Sequence, residues 1–205
     1  MVNYFKILNQ EKGTIIIFVI FGIVLSLLLS LVVPWKYSST MRLLVVQRQT
    51  NLDAYTALKS AERVGDNLSQ IIYTSSFFDK VLDTKFSIDK NYFKQDEIKR
   101  RKQWNKMIYA RVLRGTGMME VVVYHPDKSQ ATQIANAIAY VLTTESGNYV
   151  GEVSAIKLVD SPLESRYPVK PNFVANVLSG LILGLVIGGG YVLFVKTRKS
   201  WHNWI

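Results

Sequence analysis

The chain has 205 residues, is 49% hydrophobic, carries a formal charge of +10 and contains no cysteine. That length holds one ordinary domain with accessory segments. The missing cysteine excludes a disulfide framework.

The apolar residues concentrate in two places. Residues 15–33 form a run of 19 without a charge, and residues 173–195 a run of 23. At about 1.5 Å per residue the runs reach roughly 28 and 35 Å, against a hydrocarbon core of about 30 Å. The first is preceded by Lys6 and Lys12, as a signal peptide would be. It exceeds the usual apolar stretch of about 7–15 residues, and "LLLSLVVPW" has no small-x-small cleavage site, so it reads as an uncleaved signal-anchor. The second run is too long and too uniformly apolar for a buried core helix. The expected division is a cytoplasmic segment (1–14), a first transmembrane helix (15–34), an extracytoplasmic domain (35–166), a proline-rich connector (167–172), a second transmembrane helix (173–195) and a cytoplasmic tail (196–205). The basic N-terminal flank supports this orientation. Charge counts on the two sides barely differ, and the middle segment exceeds the roughly 60 residues over which the positive-inside rule acts.

Within the middle segment, "YSSTMRLLVV" alternates, is rich in β-formers and reads as a strand. From Leu52 the period changes: Leu52, Tyr55, Leu58, Ala61, Val64, Leu68 and Ile71 mark one helix face, with Asn51 or Asp53 as its cap. "SSFFDKVL" predicts a short helix capped by Ser75 or Ser76. "KNYFKQDEIKRRKQWNKMI" is polar and helical and carries the basic cluster Lys99, Arg100, Arg101 and Lys102. Two β-rich runs then flank Gly115, Thr116 and Gly117, a hairpin signal. Pro126 and Asp127 open a helix whose apolar face is Ala131, Ile134, Ala135, Ile138 and Val141 or Leu142. "SAIKLVDSP" is the last strand. The order β–α–α–α–β–β–α–β predicts an α+β fold: a small, mainly antiparallel four-stranded sheet with several helices, flanked by two transmembrane helices. The first and last strands are expected to pair and so to bring the two membrane helices together.

No motif here carries catalysis. His125 and His202 have no partner at metal-ligand spacing. "SIDK", Ser87 to Lys90, has the Ser-x-x-Lys spacing of some serine hydrolases without their companion motifs. The "NLS" at Asn67 is a formal glycosylation acceptor placed mid-helix. No cofactor is expected. The basic cluster has two readings, a polyanion contact and a solvated helix face balanced by Asp96 and Glu97. Nucleic acid is excluded as its partner by the expected topology. Trp201 and Trp204 read as interfacial anchors or as a docking peptide for a cytoplasmic partner.

Pro162, Pro168 and Pro171 resist helix and central strand, which predicts a semi-rigid connector before the second helix. Asn172 is placed to cap that helix. Inside it, Gly180, Gly184 and Gly188 recur every four residues on one face. In lipid such a face admits the close approach of another helix. Its partner is either the first helix of the same chain or a neighbouring copy.

The stretch "VDSPLESRYPVKPN" before "GLILGLVIGGG", together with "YSSTMRLLVV" and "YHPDKSQATQIANAIAYVL", resembles the Wzz-type chain-length determinants, the polysaccharide co-polymerases. Larger members carry a long helical arm for which this chain has little space, so it is more similar to the short branch that modulates tyrosine kinases. The resemblance implies a non-enzymatic membrane protein in a ring-like homo-oligomer, setting the length or export of a surface polysaccharide. Its implied partners are the polymerase and a separate cytoplasmic kinase, which the short tail after the second helix would have to reach. Two other readings compete. One is a two-helix sensor signalling through a separate partner; the other is an anchored hydrolase resting on Ser87 and Lys90.

Overall fold

The computed structural model describes residues 8–47, 53–145, 147–150 and 154–202. The chain divides into two compact units, the domain Lys36–Val169 and a helix pair drawn from Met1–Trp35 and Lys170–Ile205.

Helix α1 (Lys12–Val32) and helix α7 (Phe173–His202) make up the helix pair. Both contain stretches long and apolar enough to cross a membrane. They leave large apolar side chains such as Phe21, Leu29, Leu31, Ile182 and Val186 exposed, a surface that suits lipid rather than water. Helix α7 continues beyond residue 195 to His202, so part of the segment read as a tail is helical.

The domain runs β1 (Tyr37–Gln47), α2 (Ala54–Ile71), α3 (Ser75–Leu82), a 3-10 turn (Lys90–Tyr92), α4 (Glu97–Met107), β2 (Ile108–Leu113), β3 (Met118–His125), α5 (Lys128–Glu145), α6 (Gly147–Val150) and β4 (Ser154–Glu164). The strands form one sheet in the order β2-β3-β1-β4. Every pairing is antiparallel, and β1 pairs with β4 as its pattern suggests. The domain is α+β.

One face of the sheet makes the core. Met41, Leu43 and Val45 of β1 and Met119, Val121 and Val123 of β3 are all buried. Helix α5 closes this core, and more of it is buried than one face: Ala137 and Ala139 join Ile134, Ile138 and Leu142. Its alanines make it narrow enough to be packed on several sides. Trp104 of α4 is 1% exposed. Its indole Nε1–H donates to the carbonyl of Ile72 at 2.7 Å, which satisfies the polar end of a buried aromatic.

Caps explain where the helices begin. The Asp53 carboxylate accepts the N–H groups of Tyr55 and Thr56 at 3.1 Å each; Asn51 lies outside the described residues. Helix α3 is capped by Thr74, whose hydroxyl accepts Phe77 N–H at 3.2 Å. This corrects the expected cap at Ser75 or Ser76, which already lie within the helix: Thr74 has the extended backbone that a cap needs. Tyr55 is also misplaced on the expected buried face of α2. It lies in the first turn and is 70% exposed, whereas Ala61 and Leu68 further along the helix are buried.

The hairpin between β2 and β3 uses Gly115 and Gly117 at φ of 79° and 65°, the left-handed region open to glycine at little cost. It is pinned to α2 by Glu62, a carboxylate only 2% exposed. Glu62 accepts the N–H of Gly115 at 2.6 Å and pairs with Lys59 at 2.9 Å. These donors hold its carboxyl below the usual range, the Gly115 hydrogen bond first and Lys59 next.

Candidate functional site

Glycine determines how closely the two long helices approach. A Cβ added at Gly184 would lie 2.6 Å from Val19 Cα, and one at Gly180 would lie 2.6 Å from the carbonyl oxygen of Gly22. At Gly188 it would meet Phe18 Cβ at 2.9 Å. These distances leave no room for a side chain. Of the two partners expected for the glycine face, the one seen here is α1 of the same chain.

The facing stripe on α1 is Gly22, Ser26 and Ser30, also spaced by four. Sequence reading overlooked it, although the small-xxx-small pattern is visible once serine is counted with glycine. Beside it lies a polar clamp that also escaped notice. Asn176 Nδ2 donates to Ser30 Oγ at 2.7 Å, and the Ser26 hydroxyl donates to the Asn176 carbonyl at 2.5 Å. In a hydrocarbon setting these groups have few other partners, so the clamp fixes register as well as distance. Further along, the rings of Phe18 and Tyr191 lie 5.3 Å apart. Lys196 Nζ pairs with Glu11 at 2.7 Å. Between the helices a groove of about 450 Å³ is lined largely by Phe21, Leu25, Leu29, Leu183 and Ile187.

Asn172 starts α7. Its Oδ1 accepts Ala175 N–H at 3.1 Å, and its carbonyl accepts Asn176 N–H at 3.0 Å. Pro171 immediately precedes it, where no backbone donor is required. The prolines further back are not all in a connector. Pro162 lies inside β4, as the last residue of the expected strand and not in the connector with Pro168 and Pro171. Strand β4 is at the edge of the sheet, and Ser161 and Pro162 together oppose Met41, between the pairs Arg42–Asp160 and Thr40–Leu163. A bulge on an edge strand is one of the few sheet positions that tolerates proline. Pro168 follows the strand, where the chain is still held: Val169 N–H donates to Lys36 O at 2.8 Å, and Ser165 N–H to Ser38 O at 2.7 Å. The two ends of the domain are therefore laced side by side, and the stiffness expected from the prolines is assisted by hydrogen bonds.

The basic cluster divides by role. Arg100 points inward, 5.3 Å from the Phe78 ring and 3.8 Å from Asp79. Lys99, Arg101 and Lys102 are exposed on the outer side of α4, so three of the four side chains are available for a contact. Trp204 lies outside the described residues, and Trp201 falls in the last turn of α7.

His125 is a packed residue. It is 4% exposed, lies 4.3 Å from the Tyr92 ring, and its Nδ1 accepts Asp127 N–H at 2.9 Å. Burial pushes its pKa down. Ser87 and Lys90 are both on the surface, without the burial that activates a nucleophile and its base. Among the described residues no group of His, Asp and Glu could hold a metal ion.

What these parts build is a fixed pair of apolar helices carrying a domain whose first and last strands are neighbours. Residues 1–85 match the chain length determinant protein family, Wzz. The resemblance read from the sequence is thus met over that span, which takes in α1, β1, α2 and α3. The proline segment, the glycine face and α5 lie beyond the Wzz match. No curated protein matches the chain.

Proposed function

We propose that this protein sets the chain length of a bacterial surface polysaccharide, or governs its export, as a non-catalytic partner of the polymerase. The observation that carries this reading is the Wzz match over residues 1–85, a span that includes a membrane-competent helix and the strand following it. The chain is anchored in the cytoplasmic membrane by α1 and α7, its termini are cytoplasmic, and its domain faces outward. Copies of it work as an assembly, because a measure of polymer length needs more surface than one small domain offers. It falls in the short branch of the family, and a separate cytoplasmic tyrosine kinase is then a further partner.

The test is the polymer itself. In a strain lacking this protein, gel-resolved polysaccharide should change in length distribution or amount while its sugar composition stays the same. Unchanged polymer would contradict the proposal. Reporter fusions at the termini and within the domain check the orientation independently.

A further inference from the structure

Charge in the domain is spread unevenly. Between Lys90 and Lys106 stand seven basic and two acidic side chains, while the rest of Lys36–Val169 holds twelve of each. The net positive charge of the domain therefore comes from this one segment. Lys90, Lys94, Lys99, Arg101, Lys102 and Lys106 are exposed. Among the described residues only Arg100 of the seven pairs with a carboxylate. Asp96 is occupied as the cap of α4, accepting Lys99 N–H at 2.8 Å. Trp104 and Met107 are the buried side of the helix, and at 3.6 residues per turn Ile98 and Lys102 stand on the opposite side. Ile98 is 80% exposed, an apolar side chain among cations.

Contacts within the domain fix where this segment lies. Gln103 of α4 donates Nε2–H to the Tyr92 carbonyl at 3.0 Å and accepts Lys94 N–H at 3.1 Å. The Tyr92 ring lies 4.3 Å from His125. His125 ends β3 and stands opposite Tyr37, the first residue of β1. Glu164 ends β4 and stands opposite Ser39. The basic segment is thus at the end of the sheet where the chain enters and leaves the domain. Three residues separate α1 from Lys36, and three separate Val169 from α7. Three residues with their flanking bonds reach at most about 14 Å.

We infer that the outer side of α4 binds the anionic lipid headgroups of the membrane that holds α1 and α7, with Ile98 entering the interface. Charge and place argue for it together. Basic side chains are drawn to an anionic bilayer surface within a Debye length, about 8–10 Å at moderate salt. An apolar side chain among cations suits the boundary between headgroups and acyl chains. An anionic glycan would meet the same charges, yet it would give the exposed Ile98 nothing to enter. A helix side that is only solvated would carry carboxylates among its cations. The contact holds the domain at one orientation to the bilayer. Every copy in a ring about an axis normal to the membrane makes it in the same way.

The inference rests on the function proposed above only for the membrane anchorage, and its test does not measure polymer. The chain has no cysteine of its own, so one fluorophore can be attached at Asn105→Cys, exposed beside the cluster, or at Thr144→Cys, exposed near the far end of α5. The full-length protein is placed in nanodiscs of phosphatidylcholine, with or without phosphatidylglycerol, that contain a lipid with a quencher on its headgroup. Phosphatidylglycerol should raise quenching at Asn105 several-fold, high salt should reverse the rise, and the Thr144 label should not respond. Replacing Lys99, Arg101 and Lys102 by Gln should remove the rise, and Ile98→Ser should reduce it. The salt dependence is read with the cluster intact, so the test does not depend on the folding of the triple variant. The inference is overturned if neutral and anionic discs quench equally, or if the triple variant keeps the rise. It is also overturned if the Asn105 label responds to soluble alginate in neutral discs and not to phosphatidylglycerol, the behaviour of a glycan site.

Discussion

Gly184 and Val19 meet backbone to backbone: a Cβ on the glycine would lie 2.6 Å from the Cα of Val19. Helix association in lipid gains little from hydrophobicity and depends on packing, so this contact decides how α1 and α7 pair. Gly184→Val should destabilise the detergent-solubilised protein by about 1–3 kcal/mol, the usual cost of overpacking. Gly190 lies in the same helix with nothing within 4 Å of an added Cβ. Gly190→Ala should therefore be neutral or slightly stabilising. Thermal unfolding of the two variants side by side makes the comparison, and equal losses would show that the glycine spacing is not a contact face.

Asn176 joins the same helices through polar contacts, donating to Ser30 and accepting from Ser26. Asn176→Leu keeps the volume and removes the bond to Ser30, while the Ser26 bond, which ends on the backbone carbonyl of residue 176, survives. A loss of about 0.6 kcal/mol, with an upper limit near 1.7, is expected for an interhelical bond of this type. Detergent titration of unfolding measures it. Ser30→Ala removes the same interhelical bond and should cost a similar amount, because the bond from Ser26 to the backbone carbonyl of Asn176 survives in both variants.

Glu62 makes the stability of the domain depend on acidity. Its folded-state pKa is depressed by Gly115 N–H and Lys59, so the folded protein binds a proton at this site less readily than the unfolded chain. Its contribution is complete above the ordinary glutamate value of about 4.3 and is lost as pH falls through the lower folded value. Glu62→Gln should be less stable than wild type at neutral pH, and the gap should close on acidification below that value. Denaturant midpoints recorded from pH 6 down to pH 3 give the comparison. A gap that stayed constant with pH would show that the carboxylate's charge is not what holds the hairpin.

The basic cluster should separate under substitution as it does in space. Arg100→Ala removes the contact with Phe78 and the pair with Asp79, and should cost about 0.5–1 kcal/mol. Replacing Lys99, Arg101 and Lys102 by Gln should shift stability by no more than about 0.5 kcal/mol. If this face touches an anionic polymer, the triple variant alone should alter polymer length. Normal polymer from the stable triple variant would show that the cluster does not act on the polymer.

Local patterns carried much of this structure. The two helices follow from uncharged length, the hairpin from Gly115 and Gly117, and the cap of α2 from Asp53, because each depends on residues close in sequence. Thr74 was missed as a cap for a narrow reason: Ser75 and Ser76 are equally competent, and only the backbone shows which residue precedes the first helical turn. Pro162 is legible as the end of the last strand, whereas the bulge that carries the strand past it depends on pairing with Met41 more than a hundred residues away. The stripe of Gly22, Ser26 and Ser30 was within reach of the sequence. The ion pairs of Arg42 and Arg111 with Glu120 were not, since their residues come from three strands and meet only when the register is known.

Regulation of polymer length by an assembly built on the α1–α7 pair, as proposed, can be tested in the cell. Its most direct test is complementation of a strain lacking the protein, with polysaccharide length resolved by gel. The wild-type chain and Gly190→Ala should restore the original modal length, and Gly184→Val at matched membrane level should not. Restoration by Gly184→Val equal to wild type would contradict the role of the helix pair, and a modal length unaffected by any of the three would contradict the function itself.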